Sequence, residues 1–71
     1  MTTLPAVVAV GQFSPRWLYA ERIEGPCYVG RVWTRDNRKG TPHWSRQRRR
    51  FSVRFVNLAS PADPKPEPPA S

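Results

Sequence analysis

The sequence predicts a small, mainly β domain: an antiparallel meander, or an SH3-like or OB-like barrel, of four to five strands with a proline-rich tail. Three observations predict it. Apolar residues recur with period two or in short valine-rich runs, the pattern of extended chain. Turn-forming residues punctuate those runs, at Gly25-Pro26 and again from Asp36 to Pro42. From Ser60 onward the chain holds five prolines in twelve residues and neither aromatic nor β-branched side chains, a composition that builds no core. The domain therefore spans residues 1–59, and residues 60–71 form a solvated, disordered tail of polyproline character.

Each element has its own argument. Pro5 to Phe13 carries Val7, Val8 and Val10 and reads as a short buried strand that Gly11 bends, because β-branched residues lose rotamer freedom in a helix. Ser14 to Glu24 admits two readings. Ser14-Pro15 would cap a helix well, but the alternation of Trp17, Tyr19, Glu21 and Ile23 favours a strand. After the Gly25-Pro26 reversal, Cys27 to Arg35 alternates again and completes a hairpin. Asp36 to Pro42 has no apolar residue to bury and is the clearest loop. Residues 41–49 fit either one short helix begun by Thr41-Pro42 or an extended arm. Phe51, Val53 and Phe55 alternate with Ser52, Arg54 and Val56, which predicts a last strand through this stretch. In so small a domain Trp17 and Trp33 are expected in the core beside Phe13, Phe51, Val53 and Phe55, with Trp44 exposed.

About sixty foldable residues bury only some 60% of their unfolded surface, so the domain is marginal and needs help. A single cysteine, Cys27, allows no internal disulfide, and with the single histidine, His43, it falls short of the four ligands of a closed zinc site. No metal or other cofactor is expected. Self-association is the aid that remains, which makes a homodimer a candidate state.

Charge carries the functional reading. Nine of the twelve basic residues lie between Arg31 and Arg54, against one acid, Asp36. They are Arg31, Arg35, Arg38, Lys39, Arg46, Arg48, Arg49, Arg50 and Arg54, eight of them arginine. Guanidinium groups grip phosphate in a bidentate way and stack on bases, whereas lysine supplies mainly a point charge. This density, interleaved with Trp33, Trp44 and Phe51, points to nucleic acid, DNA or RNA, held chiefly through phosphates and largely without regard to sequence. Trp44, between a loop and four arginines, is the candidate for stacking on a base.

Other classes are weaker. A small accessory or inhibitor protein of the mobile-element kind, docking on an acidic host protein or a nucleoprotein complex, would need the same charge. Metal-independent RNA cleavage would ask His43 to act as base with Arg46 or Arg48 steadying the phosphate, but no supporting constellation accompanies it, so no enzyme and no catalytic residue is expected. Gly40 stands alone, which rules out a glycine-rich phosphate loop, and the prolines and valine runs rule out three helices of a helix-turn-helix. No segment joins arginines to a clean apolar helical face, so no membrane partner is expected. The N-terminal apolar run is too short for a signal core, and the lone cysteine fits a reducing cytoplasm.

Overall fold

The structure, a computed structural model, describes residues 3–35 and 40–69. Its four strands are β1 (Ala6–Val10), β2 (Arg16–Glu24), β3 (Cys27–Thr34) and β4 (His43–Ser52), followed by a 3-10 turn, Val53–Phe55. They form one open antiparallel sheet in the order β1-β2-β3-β4, so every strand lies beside its sequence neighbour. The meander is thus observed, as one open sheet.

Both ambiguous segments are extended. Residues 16–24 pair with β1 and β3, and residues 43–52 pair with β3, so neither helical alternative forms. The β2–β3 reversal falls at Gly25-Pro26, where Gly25 takes φ +58°, a region that only glycine enters without strain. Of the expected loop, residues 36–39 lie outside the described residues, and Gly40 to Pro42 has neither helix nor strand.

The last strand is a correction. Phe51 and Ser52 end β4, but Val53, Arg54 and Phe55 leave the ladder in the 3-10 turn despite their alternation. Ser52 causes this: its Oγ accepts a hydrogen bond from Arg54 N at 3.3 Å, a local alternative to the ladder. Val53 N meanwhile donates to Pro26 O at 2.9 Å. The turn steers the chain back to β1, where Gly11 N donates to Phe55 O and Asn57 N donates to Ala9 O, at 2.9 and 2.8 Å. One bridge, Val10↔Val56, results. These bonds cover part of the outer edge of β1.

Asn57 holds this return in place with φ 60°, a left-handed conformation that costs other L-residues about 1–2 kcal/mol. Its Oδ1 also accepts from Ala9 N at 3.4 Å. Asn57→Ala is therefore expected to lose about 1–2 kcal/mol in chemical denaturation, and Asn57→Gly less. Equal losses in the two variants would remove the backbone argument.

The core also departs from expectation. It is built from short aliphatic residues, Val8, Val10, Leu18, Ala20 and Val32, with Leu4, Tyr28, Phe51 and Val56 packed at its margin. The register explains the grouping: Val8 faces Leu18 and Ala6 faces Ala20, so these alternate residues share one side of the sheet. Phe13 is 90% exposed, Val53 and Phe55 are exposed on the turn, and Trp17 and Trp33 are half-buried on the opposite side of the sheet. Short branched side chains fill the narrow space beneath so small a sheet, where an indole would overfill it.

Candidate nucleic-acid interface

β4 is an edge strand. Among the described residues no strand pairs with its outer side, and Arg46, Gln47, Arg48, Arg49 and Arg50 form a run of five consecutive exposed residues along it. At about 3.4 Å per residue this run spans about 14 Å. Because strand side chains alternate, the run does not lie on one face. Arg48 and Arg50 pair in register with Arg31 and Val29, on the side that carries Trp33 and Trp44. Arg49 pairs with Gly30 and points to the core side. The positive charge wraps the edge of the sheet.

Two carboxylates quench part of it. Glu21 accepts from Arg48 Nε at 2.7 Å and from Arg48 Nη2 at 3.4 Å, and it lies 4.0 Å from Arg31 Nη2. Glu24 pairs with Arg22 at 3.0 Å and with Arg50 at 3.6 Å. The β-bulge between Ala20 and Arg22 brings Glu21 to these partners, since the extra residue re-aims the side chain at that point. Arg31 is the most enclosed of the group: its Nε is buried without a hydrogen-bond partner, and its guanidinium carbon lies 5.8 Å from the centre of the Tyr19 ring. Arg35, Arg46, Arg49 and Arg54 have no carboxylate partner among the described residues. Arg38 and Lys39 lie outside the described residues.

The fold adds one residue that the charge count missed. A cleft of about 320 Å³ on the core side has Val10, Val32 and Phe51 as its apolar wall and Arg16 and Arg49 on its lining. Arg16 lies far from the basic cluster in sequence, and only the folded sheet brings it to the same cleft as Arg49.

Trp44 is not the free aromatic that the sequence suggests. It is half-buried, packed edge-on against Trp33 at 4.9 Å and against Tyr19 at 5.8 Å between ring centres. Its Nε1 donates to Glu67 O at 2.9 Å. Trp17 Nε1 likewise donates to Asp63 O at 2.9 Å. The described part of the tail, residues 60–69, has neither helix nor strand, and Asp63, Pro64, Lys65 and Pro66 line a cleft with Trp33, Arg35 and Pro42. His43 is half-buried, with Nδ1 3.3 Å from Thr41 O, in a depression it shares with Thr34, Ser45 and Arg46.

Among the described residues no group of three or more His, Cys, Asp or Glu side chains could hold a metal ion, and no helix is long and apolar enough to cross a membrane. Cys27 is a free, half-buried thiol. Comparison with known protein families, curated proteins and solved structures finds no match.

Proposed function

We propose that this chain is a non-enzymatic nucleic-acid-binding protein that holds phosphates along the β4 edge, largely irrespective of base sequence. The observation that carries the reading is the exposed run Arg46–Arg50 on an edge strand, where Arg46 and Arg49 have no carboxylate partner among the described residues while Glu21 and Glu24 are engaged by Arg31, Arg48 and Arg50. Arg35 and Arg54, also without carboxylate partners among the described residues, extend the surface, and Arg38 and Lys39 precede β4 in the chain. An edge is accessible from both sides, so a flexible single strand or the ridge of a duplex backbone reaches guanidiniums of either orientation. Trp44 contributes stacking only if the tail leaves it. A cytoplasmic setting accords with the single free thiol.

A competition shift assay with single-stranded and duplex DNA and RNA at two salt concentrations tests the reading. Four engaged phosphates give a slope of about −3.6 in log affinity against log salt for duplex DNA and about −2.8 for a single strand. Binding that ignores salt would overturn the proposal.

One observation favours a second reading. The unpaired backbone of β4 offers a row of donors and acceptors to an extended segment, and its arginines would select an acidic one. An acidic protein partner that co-purifies in fixed ratio after nuclease and high-salt treatment would favour this rival.

Glu21 gives a test with opposite signs. Glu21→Gln removes the carboxylate shared by Arg31 and Arg48, so nucleic-acid affinity at low salt is expected to rise about fivefold, one phosphate contact's worth. Stability should fall by no more than about 1 kcal/mol, the range of exposed ion pairs. Unchanged affinity in the shift assay would mean that these two arginines do not face the ligand.

A further inference from the structure

Three tryptophans stand in a row on the side of the sheet opposite the core. Trp33 pairs in register with Trp44, and extending the β2–β3 register one step beyond Leu18↔Val32 sets Trp17 opposite Trp33. The core does not use them, since Val8, Val10, Leu18, Ala20 and Val32 form it on the other side. Three half-buried indoles on one side of β2, β3 and β4, two of them in edge contact at 4.9 Å between ring centres, therefore call for another explanation.

What lies on them is the tail. The two outer indoles each donate one hydrogen bond, Trp17 to Asp63 O and Trp44 to Glu67 O, both at 2.9 Å. The spacing fits an extended proline-rich segment crossing the strands. Four residues of polyproline II span about 12 Å, and β2 and β4 are two strand spacings, about 10 Å, apart. Asp63 and Glu67 each precede a proline, Pro64 and Pro68, and a residue before proline is held in the extended region that turns its carbonyl outward. Pro66 and Pro69, three apart and so one polyproline turn apart, are both half-buried, whereas Pro64, Lys65, Glu67 and Pro68 are exposed. Pro66 shares a cleft of about 330 Å³ with Trp33, Arg35 and Pro42, and Asp63, Pro64 and Lys65 complete its lining. The tail lies along the aromatic side of the sheet while most of its residues stay exposed.

We propose that the Trp17–Trp33–Trp44 row is a binding site for proline-rich extended peptide, and that residues 61–69 are its built-in ligand. The chemistry is that of aromatic grooves that read polyproline: the ligand has no internal hydrogen bonds, its carbonyls are free to accept from indole N–H groups, and its rings lie flat on apolar surface at little entropic cost. The preferred ligand has two X-Pro units four residues apart, the acceptors being the X carbonyls. This site shares Trp44 and Arg35 with the proposed basic surface, but its test does not depend on nucleic acid.

The experiment uses the full chain and follows the Trp17 and Trp44 Nε1–H resonances by NMR. In the parent both indole protons, each donated to a tail carbonyl, are expected to be protected from solvent exchange. In the full-length variant Pro64→Gly, Pro66→Gly and Pro68→Gly, which keeps tail length and charge, both are expected to exchange about fivefold faster, the ratio that one net hydrogen bond confers. Backbone amide shifts of Val8, Leu18 and Val32 in both chains verify that the fold persists. A synthetic peptide of residues 60–69, added to this variant, should restore protection, and the same peptide with glycine for proline should not. Equal indole exchange in parent and variant would overturn the proposal. So would failure of the proline peptide to restore protection, or equal restoration by both peptides.

Discussion

Gly30→Ala is expected to abolish the cooperative fold. A Cβ on Gly30 would stand 1.9 Å from the backbone oxygen of Tyr19 and 2.8 Å from its carbonyl carbon. Both atoms belong to the backbone of β2, so no rotamer change relieves the overlap, and the two central strands would have to separate. Overpacking a core commonly costs about 1–3 kcal/mol even where side chains can yield. A single-core domain this small holds about 3–5 kcal/mol in all, and here nothing yields cheaply. Far-UV circular dichroism with a thermal melt reads the result: the parent should melt cooperatively and the variant should show no transition. A variant midpoint within about 5 °C of the parent, equivalent to about 1 kcal/mol, would mean that β2 and β3 approach less closely than described.

The second large effect concerns the guanidiniums that have no carboxylate partner among the described residues. Arg46→Ala with Arg49→Ala is expected to lower affinity for unrelated nucleic-acid sequences alike, by about thirtyfold near physiological salt, and to flatten the duplex salt slope by about 1.8. Arg48→Ala with Arg50→Ala removes the same charge but takes away groups already engaged by Glu21 and Glu24, so its loss should be smaller. The comparison separates contact from bulk electrostatics, because both pairs change net charge equally. Equal losses would assign binding to overall charge, and a loss confined to one sequence would show base readout.

The strands were legible because their signals are local. Period two in β2 and β3 and the Gly25-Pro26 turn need no tertiary knowledge, and β2 escaped the Ser14-Pro15 helix signal because its aromatics prefer a pleated surface. The end of β4 was not legible. Phe51 to Val56 alternates as a strand should, and one hydroxyl, Ser52 Oγ, together with the docking of Val53 N on Pro26 O, diverts it. Periodicity reports which side chains could share a face and says nothing of a competing hydrogen bond.

The candidate site was legible in composition and only partly in arrangement. The density of arginine between residues 31 and 54 pointed to an exposed basic surface, and β4 carries one. Its partial neutralisation was not visible. Glu21 and Glu24 lie more than twenty residues before Arg48 and Arg50 and meet them only because β2 and β4 flank β3. The tryptophans were misplaced for a related reason. Their size argued for the interior, but strand parity puts Trp17 and Trp33 on the side away from Leu18 and Val32. Composition cannot reveal parity until the register is known.

The arginine-bearing margin of β4 has one more consequence. An edge strand ten residues long, with its outer side unpaired among the described residues, is a template on which identical molecules can zip together, and its four arginines make that assembly repulsive. A polyanion laid along the same margin cancels the repulsion, so loading and clustering of copies become linked through a single stretch of backbone. Colloidal behaviour should therefore follow occupancy: dispersed when empty, and prone to condense as bound charge approaches neutrality.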